Sequence, residues 1–205
     1  MLSVYLHIPF CLSKCAYCDF YSVAVPHPLR AAYPALLKQH LALAARQPEW
    51  QGPVSSIYFG GGTPSLLAAS DVAALLEGID NHFELAPDIE ISLEANPGTL
   101  TLAKLQGYHA AGINRLSLGV QTLDDQSLQR LGRRHTRQDS LQAVSLARQA
   151  GFANLSLDLM FALPGQTLAA LQKEIARFLD LAPQHFSCYG LTAEPGTPLC
   201  EAVHA

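Results

Sequence analysis

Six short apolar or β-branched runs, each followed by a stretch with helical apolar spacing, limit most of what this 205-residue chain can become. Residues 3–8, 54–59, 89–93, 115–120, 155–159 and 185–189 have the length and composition of strands. The stretches between them repeat every three to four residues. Tyr33, Leu36, Leu37, Leu41 and Ala44 share one face of a helix over 29–46. Val72, Leu75, Leu76, Ile79 and Phe83 do so in a helix expected to be capped by Ser70. A helix over 101–111 follows, then one opened by a Thr136/Asp139 capping box and closed by Gly151. In the last, capped by Thr167, Leu168, Leu171, Ile175, Phe178 and Leu179 are expected to face inward.

Strands separated by helices cannot pair as hairpins, so a parallel sheet follows. Units of roughly 30 residues account for nearly the whole chain. A closed eight-fold barrel needs about 250 residues. The expected fold class is therefore α/β, a partial (β/α)6 open barrel of the TIM-barrel type. The hydrophobic fraction of 49% supports a single domain over 1–205. Net charge is −4 and the basic residues are scattered, which excludes a nucleic-acid stripe. No apolar run approaches the ~20 residues of a membrane span. The apolar start breaks at Pro9 without a basic lead, so no signal peptide is read and a cytoplasmic location is expected.

In such barrels chemistry gathers where strands end. Behind the first strand stand Cys11, Cys15 and Cys18, at x3 and x2 spacing. Three thiolates on one loop can reach one metal centre. They do not complete a tetrahedral zinc site without a fourth ligand such as His7 or Asp19. Iron–sulfur clusters usually take four cysteines, so three would leave one iron open to a small molecule. Gly60-Gly61-Gly62-Thr63-Pro64 follows the second strand and lets backbone approach a ligand. Glu94, Gln121 and Asp158 fall at or near the ends of the third, fourth and fifth strands. Cys188 and Cys200 read as buried free thiols. Among eight histidines, His135 and His204 read as the ones free to reach a ligand.

The C-x3-C-x2-C spacing behind a first strand resembles the radical S-adenosylmethionine superfamily. With Tyr5-Leu6-His7-Ile8-Pro9-Phe10-Cys11, the GGGTP run, Gly119-Val120-Gln121, Arg133, Leu157-Asp158-Leu159 and Leu163-Pro164, the chain resembles the oxygen-independent coproporphyrinogen III oxidase family. That resemblance implies a [4Fe–4S] cluster on Cys11, Cys15 and Cys18. It also implies S-adenosylmethionine contacts from Tyr5, Gly61, Gly62, Thr63, Glu94, Gln121, Arg133 and Asp158.

Within the family, the oxidases carry a further cysteine two residues after the third. Phe20 stands there in this chain, and Cys18-Asp19-Phe20 is similar to the haem chaperone (HemW-like) branch. The resemblance thus implies haem as cargo and a client haemoprotein as partner. It leaves two alternatives open: decarboxylation of coproporphyrinogen III by a 5′-deoxyadenosyl radical, and a metal-stabilised binding module without radical chemistry. It also implies a C-terminal domain beyond Thr197-Pro198-Leu199 that carries a haem-associated His-Asn…Tyr-Trp segment, which residues 1–205 do not contain.

Overall fold

The computed structural model describes residues 1–25 and 27–204, without the side chains of 27, 28 and 204. Its centre is a six-stranded, wholly parallel sheet made of β1 (Leu2–Ile8), β4 (Val54–Gly61), β5 (Leu85–Ala95), β6 (Arg115–Gln121), β7 (Asn154–Phe161) and β8 (His185–Gly190), in that spatial order. The first and last strands form the two edges and do not pair, so the barrel is partial and open, as the alternation predicts. A second, two-stranded ladder pairs β2 (Phe10–Cys11) with β3 (Val23–Ala24). The central strands are buried on both faces, which is why they read as continuous apolar runs.

Helices α1 (His27–Ala44), α2 (Ala69–Asp80), α3 (Leu102–Ala110), α5 (Arg137–Gln149) and α6 (Leu168–Asp180) follow the strands. Leu75, Ile79, Leu105, Tyr108, Ala147 and Phe178 join Ile57, Phe59, Leu93, Leu116 and Leu157 in one core. The Thr136/Asp139 capping box forms as read. Ser70 does not cap α2: the helix starts two residues earlier, at an Ala68 N-cap that makes no side-chain bond. Two short helices had no clear sequence signal, α4 (Asp125–Arg130) and α7 (Pro198–His204).

Two expectations about facing are corrected. In α1, Leu36 points outward with Leu29 and Leu43, while Tyr33, Leu37 and Leu41 pack on the core. In α6, Leu168, Ile175 and Leu179 are exposed, at 72%, 41% and 58%, and the charged Glu174 is buried instead. The physical reason is position: α6 leads into the edge strand β8, and no further unit follows in the sheet for the rest of its apolar stripe to meet. Cys188 is likewise exposed rather than buried, since it lies on the edge strand β8. Cys200 is partly buried.

Candidate functional site

The residues that the resemblance implies for the cluster and S-adenosylmethionine converge, with one exception, on a cavity of about 290 Å³ at the carboxyl end of the sheet. Cys11, Cys15, Cys18, Gly61, Gly62, Thr63, Glu94, Gln121, Arg133 and Asp158 all line it. Tyr5 does not. It shares a face with Tyr58, on which it stacks, but stands further down the edge strand with its hydroxyl 3.1 Å from His7 Nδ1.

The cysteine loop is held by its backbone. Cys11 lies in β2, and the ladder to β3 clasps both ends of the loop. Ala16 N–H donates to Leu131 O at 3.1 Å, and Leu199 N–H donates to Ala16 O at 2.9 Å. Thr63 Oγ1 donates to Cys11 Sγ at 3.4 Å and Arg133 Nη1 to Cys15 Sγ at 3.7 Å. Burial pushes the Cys18 thiol up, so its thiolate form calls for a positive centre beside it. Among the described residues, no three His, Cys, Asp or Glu side chains converge closely enough to hold a single metal ion. His7, a conceivable zinc ligand by sequence, uses both ring nitrogens, one toward Tyr5 and the other 2.8 Å from Tyr21 O.

The glycine run faces the cysteine strand at close range. Gly61 has φ of 115°, a conformation in which glycine is at home, and Gly62 N–H donates to Ile8 O at 2.8 Å. From the outer side, Lys104 Nζ donates to Ser65 O and Tyr108 Oη to Leu67 O, which ties the turn after the glycines to α3.

Gln121 is placed by a defect in the sheet. The β6–β7 register slips between Leu118 and Gln121, and Gln121 takes a left-handed φ of 67°, which costs a non-glycine residue of order 1–3 kcal/mol. The carbonyls of the irregular stretch are satisfied by donors from the following loop: Arg133 Nη2 to Gly119 O at 2.6 Å and His135 Nε2 to Val120 O at 3.2 Å. His135 is thus a core residue, only 3% exposed, and not the free ligand the sequence suggests. Burial, then the Arg133 charge, hold its pKa down to about 4, so the ring is neutral. The side chain of His204 lies outside the described residues.

Two carboxylates face the cavity from neighbouring regions of the sheet. Glu94 accepts from Tyr58 Oη at 2.7 Å and from Gly61 N–H at 3.2 Å, yet burial still raises its pKa. Asp158 accepts from Ser117 Oγ at 3.3 Å; burial, and then the charge of Glu94, push it up to about 7. Arg133 supplies positive charge beside Asp158, and its Nε is buried without a partner. Such a cavity favours a ligand with cationic groups for the carboxylates and an acceptor for the guanidinium.

A stability test follows from Asp158. Its pKa rises from 3.8 in the unfolded chain to about 7 in the fold. Stability from this group is therefore fully present below pH 4 and lost as pH rises to 7. At 1.36 kcal/mol per unit, Asp158→Asn should stabilise the ligand-free chain by about 2–4 kcal/mol at pH 8 and very little at pH 4. Urea unfolding at the two pH values measures this, and an equal effect at both would rule the mechanism out.

Sequence reading missed Tyr189 and Tyr17, which both line the cavity. Tyr189 Oη donates to Gln121 Oε1 at 2.5 Å. It sits one residue before the end of β8, so the strand-end rule that picked out Glu94 applied to it as well.

The profile of the Radical SAM superfamily matches residues 5–179. The chain belongs to the radical SAM superfamily. Membership implies, in general, a [4Fe–4S] cluster and S-adenosylmethionine. Among curated proteins, Heme chaperone HemW of Haemophilus influenzae is 42% identical over 200 residues, covering 96% of this chain and 52% of that protein. The protein of the same name from Escherichia coli has the same identity and coverage. Radical S-adenosyl methionine domain-containing protein 1, mitochondrial, of Danio rerio is 38% identical over 211 residues, 99% of this chain and 46% of that one. The chain thus spans about half the length of the curated relatives it matches. Among solved structures, coproporphyrinogen III oxidase HemN from Escherichia coli superposes with a TM-score of 0.85 at 30% identity, over 94% of this chain and 44% of that one. The resemblance read from the motifs and from Phe20 thus agrees with these relatives, and the radical SAM partial barrel is the fold. Among the described residues, no helix is long and apolar enough to cross a membrane.

The donor set fits the groups that membership implies. Three thiols share one loop on one side of the cavity. A glycine turn without side chains, two buried carboxylates and a guanidinium with an unpartnered nitrogen line the same cavity.

Proposed function

We propose that residues 1–205 form the cluster- and S-adenosylmethionine-binding domain of a haem chaperone. The observation that carries this reading is the single cavity on which three cysteines, the glycine turn, Glu94 and Asp158 converge, with Phe20 rather than a fourth cysteine at its rim. Cys11, Cys15 and Cys18 would hold the [4Fe–4S] cluster. When bound, that cluster supplies an open iron and an electron to the sulfonium of S-adenosylmethionine. Backbone of Gly61, Gly62 and Thr63 would meet the methionine ammonium, with Glu94 and Arg133 pairing its charged groups. Gln121 would add a side-chain amide, and Asp158 would accept from the ribose hydroxyls. Tyr5 would act at one remove, by packing on the Tyr58 that holds Glu94. Haem is the proposed cargo, a haemoprotein the proposed client, and the cytoplasm the proposed location.

The Escherichia coli relative provides the test. Its matching 200 residues would be exchanged for this chain, and the hybrid loaded with cluster under anaerobic conditions. The expected result is haem uptake and transfer to an apo-haemoprotein, with no CO2 released from coproporphyrinogen III in the presence of S-adenosylmethionine and a reductant. Release of CO2 would instead support the oxidase reading. The 205-residue chain alone should keep its cluster and bind haem far more weakly than the hybrid.

A further inference from the structure

The buried carboxylate of Glu174 does not line the cavity. It lies on α6, an outer helix, at a position whose neighbours Lys173 and Ile175 are exposed. It is 8% exposed itself. Its hydrogen bonds all run to the loops behind the cavity rather than along its own helix. Oε1 accepts from Thr122 Oγ1 at 2.5 Å and from Leu123 N–H at 2.6 Å. Oε2 lies 3.5 Å from Gln166 Nε2, and Gln166 Oε1 accepts from Leu163 N–H at 3.3 Å. One carboxylate therefore ties the chain after β6 to the chain after β7.

The residue before Thr122 is Gln121, the cavity residue in the left-handed conformation. A buried side chain in that conformation persists only where its surroundings over-determine it. Three restraints meet there. Arg133 and His135 hold the carbonyls on its N-terminal side, Tyr189 Oη holds its side-chain oxygen, and Glu174 holds the two residues on its C-terminal side. With Oε1 engaged by Tyr189, the Gln121 amide keeps its N–H groups for a ligand.

We propose that Glu174 is a positioning residue for S-adenosylmethionine: through Thr122 and Leu123 it fixes Gln121 as an amide donor to the bound molecule. This rests on the S-adenosylmethionine reading above. Charge-assisted bonds donated to a carboxylate by a hydroxyl and a backbone N–H are of the strong class, and their burial leaves no water to replace them. Without them the turn at Gln121 relaxes toward right-handed backbone, and the amide leaves the cavity.

The test measures S-adenosylmethionine binding to anaerobic, cluster-loaded protein by equilibrium dialysis, together with the paramagnetic resonance change it causes in the reduced cluster. Glu174→Ala should weaken binding about tenfold while keeping its iron, and Glu174→Gln, which retains an acceptor, should recover part of the loss. Gln121→Ala should weaken binding by a similar factor, and adding Glu174→Ala to it should change little further, because both act on one contact. Thr167→Ala, which removes the cap of the same helix, should lower the melting temperature and leave affinity unchanged. If Glu174→Ala does not fold, Thr122→Val removes one of its bonds with little change of shape and should move affinity the same way. Affinity within twofold of wild type in the folded Glu174 variants, or in Thr122→Val where Glu174→Ala does not fold, overturns the proposal, as do multiplicative losses in the double variant. A wild-type chain that holds its cluster but binds no S-adenosylmethionine overturns the parent reading instead, and this proposal with it.

Discussion

Changing Cys11, Cys15 or Cys18 to Ser is expected to abolish cluster assembly in anaerobic reconstitution, while Cys188→Ser and Cys200→Ser keep it. The three cysteines line one cavity and share one backbone-clasped loop. Cys188 is exposed on the outer strand β8, and Cys200 lies in α7, where neither lines the cavity. A hydroxyl is a much poorer ligand for iron than a thiolate, and a cluster held by three protein ligands has none to spare. Iron and sulfide content with the visible spectrum gives the answer. Loss of iron from the Cys188 variant would mean that the ligand set is wrong.

The second large effect is expected at Gly62. A Cβ there would stand 2.8 Å from Phe10 O and 3.0 Å from Cys11 Sγ, and two of its three nearest atoms belong to the backbone of the cysteine strand. Neither can swing aside as a flexible side chain would. Gly62→Ala must therefore separate the glycine turn from β2, which carries Cys11. Overpacking of this kind typically costs about 1–3 kcal/mol. Because the displaced atoms include a proposed cluster ligand, retention of the cluster should fall much more than stability. Gly98→Ala is the control, since its Cβ would meet His135 Cβ at an ordinary 3.5 Å. Iron content and a urea midpoint for both variants decide the matter; a Gly62→Ala protein with full iron content would show that the approach is not tight.

The two effects differ in how visible they were beforehand. Cysteine spacing is local, so three thiols on one loop could be read directly. The need for glycine at 62 was visible only as composition, because the atoms that crowd it belong to a strand some 50 residues earlier in the chain.

Sequence alone determined the order of the six sheet strands and the five long helices, the parallel sheet and the end of the sheet where the polar groups lie. Strand runs, helical spacing and the strand-end rule are all local, and the central strands, buried on both faces, read as continuous apolar runs. Tertiary structure decided the rest. It turned Leu168, Ile175 and Leu179 outward because α6 leads into the edge strand β8 and no further unit follows in the sheet. It made His135 a buried donor to Val120 O, since the carbonyls of an irregular strand end must find partners. It brought Glu174 to Thr122 and Tyr189 to Gln121, contacts 52 and 68 residues apart along the chain. Such pairs leave no periodic trace, because a buried polar partner is chosen by where two loops meet in space and not by its place in either repeat.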